Sequence, residues 1–346
     1  MKLTQSDLSA LQLPPVVKDD ISWDVRRTEL VRMIHEEYMG DLPDKKSLTV
    51  SYEITDDYPH WYGDKATRSI LHVNVAHGAA SHSFPVQVIL PKKDHIPVFL
   101  HLAFENLDPF CGEEIIDHGY GMVKVCYTDI EPDDQKDNHT GFAALMDKDA
   151  PHRWGKFGCW AFAASLILDG LSGYPQIDPA RVAVVGHSRL AMTALYAGLT
   201  EPRFSLIGAI NSGALHRGTS AETFEDLSRE YTKYWFTGSL FEKYHSETEL
   251  PFDNHFLTAL CAPRHVYLSA ASLDEWCDPK AMAYGGLAAS PAYEALGKKG
   301  LILPETVEEN VLYDAGDISY YDRTGTHYFG RDDLLNMIKI RDERGI

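Results

Sequence analysis

Apolar residues recur at every second position in residues 48–54, 70–75 and 84–90, and turn residues bound each stretch. A period of two predicts strands with one covered face. Pro85 suits a sheet edge, because proline brings no N–H to a central ladder. Residues 96–104 are nearly continuous in apolar side chains, as a strand buried on both faces should be, so the parallel core is expected to begin there. Further strands are expected at 121–127, 181–185, 204–210, 265–269 and 317–322. Helical patterns fall between them. In residues 23–38, Val25, Leu30, Val31, Ile34 and Tyr38 lie near one face, with Gly40 and Pro43 closing the segment. Residues 154–171 form a strongly apolar helix, and helices are also expected at 192–198, 281–296 and, on the surface, 331–340. Residues 1–20 are polar and proline-containing, an arm laid over the body. Strands alternating with helices, without repeat or linker, predict an α/β fold with a mostly parallel sheet, helices on both faces and antiparallel N-terminal edge strands.

Residues 212–255 break this alternation. They are polar and aromatic, with Phe224, Tyr231, Tyr234, Trp235, Phe236, Phe241 and Tyr244, and are read as a cap inserted over the C-terminal edge of the sheet. Its aromatic rings can stack on sugars or supply the small core such an insertion needs, and the second role is expected of most of them. Asp253 fits the N-cap of a helix running through Leu260.

Composition changes this picture little. Residues 1–346 read as one domain, with 44% hydrophobic residues for its core. The net charge of -19 argues against nucleic acid and anionic membranes as partners, since both need lysine and arginine to offset phosphate. The five cysteines are odd in number and widely spaced, which indicates neither a disulfide framework nor a zinc site. Residues 1–10 lack an apolar signal core, so a cytoplasmic location is the expectation.

The chemistry gathers at residues 181–191, where an apolar run stops at Gly186 and gives way to a helix. Strand, sharp turn and helix form the nucleophile elbow of α/β-hydrolases, which lifts a serine hydroxyl out of the sheet at a helix N-terminus. Ser188 is that serine, unless it only caps the helix. Gly186-His-Ser-Arg-Leu-Ala191 resembles the Gly-x-Ser-Arg-x-Gly turn of the glucuronoyl esterases and acetylxylan esterase-like carbohydrate esterases. The likeness continues in order through Asn211-Ser-Gly213, Leu250-Pro-Phe-Asp-Asn-His255, Ala262-Pro-Arg264, Leu273-Asp-Glu-Trp-Cys-Asp-Pro279 and Gly325-Thr-His327. Relatives of this type are often exported.

A serine hydroxyl is nearly inert until a base takes its proton. His327 lies after the last expected strand and before the last helix, where an α/β-hydrolase keeps that base. Asp274 is the expected acid, since Ser188, Asp274 and His327 follow the hydrolase order, but Glu275 and Asp278 occupy the same loop. Many glucuronoyl esterases place the acid in a Glu-Ser-Gly context after the preceding strand, where this chain has the uncharged Asn211. The resemblance gives the Arg189 N–H, and its guanidinium, to the oxyanion. The loop holding Glu105 and Asn106 is where α/β-hydrolases keep a second such donor. Trp276 resembles a family tryptophan beside the sugar, and Met192 stands where the family commonly has a lysine that donates to the sugar. Methionine offers a soft apolar surface instead, so discrimination is expected to be weak or to favour the smaller, less polar acyl group, with acetyl or aryl esters cleaved better than a glucuronate ester. The resulting expectation is a serine carboxylesterase acting on an acetyl or uronate ester of a small molecule or oligosaccharide, without cofactor or metal. The alternatives are a serine peptidase and a catalytically silent hydrolase fold that binds sugar or a partner.

Overall fold

The computed structural model describes the chain except for residues 108, 110, 135–139, 148 and 219–229. Ten strands form one sheet: β1 (Thr49–Trp61), β2 (Ala66–His77), β3 (Ala80–Pro91), β4 (Ile96–Ala103), β5 (Gly121–Cys126), β6 (Ile177–His187), β7 (Leu206–Ile210), β8 (His265–Ala271), β9 (Leu312–Tyr313) and β10 (Ile318–Arg323). Their order across it is β1-β2-β3-β5-β4-β6-β7-β8-β10-β9. The first three strands and the β3–β5 pairing are antiparallel, the steps from β5 to β10 are parallel, and β9 closes the far edge antiparallel. The three N-terminal strands run well past their alternating cores. β3 is not the edge strand that Pro85 suggested. It lies between β2 and β5, but β5 pairs with only Gln87, Val88 and Ile89, so the ladder on that side stops short of the proline.

Alternation along the central strands sends side chains to two different cores. On β6, Val182 and Val184 face the larger one while Ala183 and Val185 face the smaller. The helix Lys156–Gly170 fills the larger core, and every residue in it except Asp169 is buried. The smaller core is closed by Leu334, Met337 and Ile338 of the helix Arg331–Arg344. That helix is therefore no mere surface element. Its Arg341 is fully buried, donates to the Val98 carbonyl at 3.0 Å and lies over the rings of Phe99 and Tyr120.

Several local expectations change. In the helix Trp23–Ile34 the buried residues are Trp23, Arg26, Leu30 and Ile34, whereas Val25 is exposed. The N-terminal arm contains the short helix Gln5–Ala10 and is pinned by buried Leu3 and Val16. Asp253 is not an N-cap, because the helix His255–Leu260 starts from Asn254. Its carboxylate instead accepts the backbone N–H groups of His216 at 2.7 Å and Arg217 at 3.1 Å, which ties the start of the 212–255 stretch to its end. Within that stretch Trp235, Phe236, Leu240 and Phe252 are buried, and Phe236 stacks on Tyr38 at 4.8 Å. These rings serve packing, as most were expected to do. Phe224 and the side chain of Tyr231 lie outside the described residues. Among the described residues no helix is long and apolar enough to cross a membrane.

Candidate active site

β6 ends at His187 and the helix Arg189–Thr200 begins two residues later, so Ser188 alone makes the turn. It does so at φ 57° and ψ -137°, a conformation that a residue with a side chain rarely adopts. The Ser188 N–H bonds to the Ile210 carbonyl at 2.8 Å, which anchors the elbow to β7. Gly186 is required by close approach, since a Cβ there would lie 2.0 Å from the Leu190 carbonyl oxygen. Ser188 is nearly buried, at 8% exposure, at the C-terminal end of the parallel strands.

Two neighbouring loops carry the other groups, and the backbone joins them. Beyond β8 and β10, the N–H of Ser272 bonds to the Arg323 carbonyl and that of Leu273 to the Gly325 carbonyl, both at 2.9 Å. Arg323 then donates to the carbonyls of Thr326 at 3.0 Å and Tyr328 at 2.8 Å, gripping the chain on both sides of His327. The outcome is a hydrogen bond of 2.7 Å between His327 Nδ1 and Asp274 Oδ2. Of the three acids in that loop, Glu275 is exposed and Asp278 is occupied in capping the next helix through the Ala281 N–H at 2.8 Å. Asp274 is nearly buried, which by itself would raise its pKa, but the hydrogen bond and charge of His327, with help from Cys277 and Asn211, hold it below the ordinary value.

Asn211 occupies the place where the resemblance puts an acid, and its side chain bonds to Asp274. Its Nδ2 donates to Asp274 Oδ2 at 2.9 Å, and its buried Oδ1 has no hydrogen-bond partner among the described residues. The Cys277 thiol donates to the Asn211 carbonyl at 2.9 Å and lies 3.3 Å from His327 Nδ1. Ligand atoms of Asp274, Cys277 and His327 thus all fall within 4.8 Å of one another, the combination among the described residues that could hold a metal ion. The His187 ring packs 4.6 Å from that of His327, and burial, followed by the charge of His327, pushes its pKa down to about 3. His187 therefore stays neutral beside His327. No hydrogen bond links Ser188 to His327 among the described residues; such contacts often close only around substrate.

Arg189 has a second anchor. Its Nη1 pairs with Asp133, which also accepts from Tyr234 Oη at 2.7 Å, Trp235 Nε1 at 2.8 Å and Tyr127 Oη at 3.1 Å. The guanidinium lies over the rings of Trp235 at 4.5 Å and Phe104 at 5.7 Å. Phe104, the residue after β4, also packs edge-on to His187 at 6.1 Å, which brings that loop beside the Ser188 turn. In the same loop Glu105 and Asn106 are exposed, and Asn106 Nδ2 bonds to Asp129 Oδ2 at 2.8 Å. Trp276 is 42% exposed with its ring 6.3 Å from His327. Met192 requires a correction. It has no exposed surface and is packed in the larger core, so it offers nothing to a substrate. Every residue of that helix from Leu190 to Leu199 is buried, whichever way it faces.

Asp133, Cys277 and His187 were not singled out in the sequence. Asp133 sits in an acidic loop that looks like any solvated surface, and its value comes from partners 56 and 102 positions away. Cys277 and His187 were within the quoted motifs, but spacing alone does not reveal that both meet His327.

The profile of the fungal glucuronyl esterases matches residues 73–297. A carbohydrate esterase from an unknown prokaryotic organism is 35% identical over 223 residues, covering 62% of this chain and 51% of the relative. The 4-O-methyl-glucuronoyl methylesterase of Podospora anserina is 28% identical over 297 residues, covering 81% of this chain and 58% of its own. The chain spans between half and three-fifths of the length of these two relatives. The solved structure of a promiscuous carbohydrate esterase family 15 enzyme from a marine bacterial metagenome superimposes with a TM-score of 0.83 at 27% identity, covering 95% of this chain and 96% of the other.

Proposed function

Since the chain belongs to the glucuronyl esterase family, whose profile spans residues 73–297, we propose that it is a serine carboxylesterase cleaving a uronate ester on a carbohydrate. The observation that carries this reading is the 2.7 Å bond from His327 Nδ1 to Asp274, made by a loop that abuts the strained Ser188 elbow. With Nδ1 committed to the carboxylate, Nε2 is the nitrogen left to act as base. His327 takes the Ser188 proton as Oγ attacks the ester carbon, then gives it to the departing alcohol. A water, deprotonated in turn by His327, releases the uronate from Ser188. The tetrahedral oxyanion is met by the Arg189 N–H and a donor from the Glu105-Asn106 loop, while the Arg189 guanidinium, steadied by Asp133, adds positive charge. Trp276, exposed beside His327, forms a wall for the sugar.

An acetyl ester is the second reading. It is favoured by a structural relative described as promiscuous. One panel tests both: a methyl glucuronate ester, acetylated xylo-oligosaccharides and short aryl esters, assayed with the parent chain and with Ser188→Ala. The parent should favour the glucuronate ester in kcat/KM, and Ser188→Ala should lose on the order of 10⁴ or more in kcat on every ester. A serine variant that keeps most of its activity would refute the mechanism. Absence of turnover together with no labelling of Ser188 by a fluorophosphonate would favour a silent binding protein.

A further inference from the structure

Cys277 is buried, takes no part in the proton transfers proposed above, and still touches the Nδ1 edge of the base. Thiol, imidazole and carboxylate together form a ligand set suited to a borderline-soft divalent cation. The triangle is close to the required size. Tetrahedral zinc with bonds of about 2.0–2.3 Å holds its ligand atoms roughly 3.3–3.6 Å apart. Here the sulfur and Nδ1 are 3.3 Å apart, all three ligand atoms lie within 4.8 Å of one another, and the 2.7 Å separation of Nδ1 and Asp274 Oδ2 would have to widen. A fourth ligand is at hand. Asn211 is fully buried, its Oδ1 has no partner, and turning the amide over would bring that oxygen to the position 2.9 Å from Asp274 Oδ2 that Nδ2 now holds. His327, whose side chain is 30% exposed, gives access from solvent.

We propose that Asp274, Cys277 and His327 form an inhibitory site for a thiophilic divalent cation such as zinc(II), which switches the esterase off by capturing the base at Nδ1. The proposal rests on the catalytic reading above for its effect, though not for the binding itself. The protons balance simply. Cys277 releases its thiol proton to solvent and binds as thiolate. The single proton of the neutral His327 ring moves from Nδ1 to Nε2, because the metal takes the Nδ1 lone pair. An Nε2 that carries a proton cannot accept one from Ser188, and Asp274 no longer orients the ring.

Binding is read first without catalysis, by titrating cobalt(II) into Ser188→Ala protein and following the thiolate-to-cobalt charge-transfer band. One equivalent should produce the band, Cys277→Ser on that background should abolish it, and Asp274→Asn should weaken cobalt binding by about tenfold or more. In the active chain, zinc should inhibit ester hydrolysis reversibly, with activity restored by a chelator. The zinc concentration for half-inhibition should rise at least about tenfold in both Cys277→Ser and Cys277→Ala, each measured against its own metal-free rate. Absence of the cobalt band in folded Ser188→Ala protein overturns the site, as does equal zinc sensitivity of the parent and both cysteine variants. A chain inactive on every ester that still shows the cysteine-dependent band would instead retain the metal site and refute the catalytic reading.

Discussion

Asn211 and Asp274 meet at His327, the amide donating to the carboxylate and the carboxylate bonded to the ring. An amide at 211 carries no charge to stabilise an imidazolium, but its N–H can hold a carboxylate, and its Nδ2 lies 2.9 Å from Asp274 Oδ2. The two residues should therefore respond very differently to substitution. Asp274→Asn removes the charge and allows the wrong His327 tautomer, so kcat for ester hydrolysis should fall by about 10⁴. Asn211→Ala removes one hydrogen bond from an acid that keeps His327 as its partner, and the loss should be nearer tenfold. Steady-state kinetics on one aryl ester decide between them. Equal losses would mean that Asn211 does more than hold the acid.

The elements around the site depend on a buried ion pair some distance from the chemistry. Lys156, at the start of the helix Lys156–Gly170, is 2% exposed and pairs with Glu131, which has no exposed surface. Glu131 also accepts the Ala143 N–H at 2.8 Å, and its main-chain carbonyl accepts from Trp160 Nε1 at 3.0 Å. This fastening fixes the segment in which Asp133 follows two residues later, and with it the anchor of Arg189. Removing one partner strands the other charge in a buried site. Lys156→Met should destabilise the fold by about 3 kcal/mol or more in denaturant unfolding, whereas the double variant Lys156→Met/Glu131→Gln should recover a large part of that loss. A single variant as stable as the parent would show that Glu131 takes up a proton at little cost.

At the scale of the whole molecule, a surplus of carboxylates makes stability depend on pH through the few that are buried. Asp322, near the end of β10, is 2% exposed and its Oδ1 has no hydrogen-bond partner. Burial, with the nearby charge of Glu309 adding to it, raises its pKa from 3.8 to about 6. Between those two values the folded chain holds a proton that the unfolded chain has lost, so this residue's contribution falls as pH rises and is at its worst above about pH 6. Asp322→Asn removes the penalty. It should stabilise the protein by about 1–2 kcal/mol more at pH 8 than at pH 4, after allowance for solvent screening. Thermal unfolding of both chains at the two pH values tests this, and a pH-independent difference would show that Asp322 titrates normally.

Local periodicity determined the order of strands and helices, the change from half-covered to fully buried strands, and the elbow at Ser188. Those features depend on residues close together in the chain, where side-chain alternation and turn geometry act directly. The order Ser188, Asp274, His327 was legible for the same reason, since each residue follows its own strand. Only the tertiary structure decided which acid in the 274–278 loop meets His327, because that depends on the pairing of the loops after β8 and β10. The same holds for the burial of Met192 against the core, the convergence of Arg189, Tyr234 and Trp235 on Asp133, and the contact of Cys277 with His327. Contacts between residues tens to hundreds of positions apart leave no period in the sequence, and they form only when the sheet sets its strands side by side.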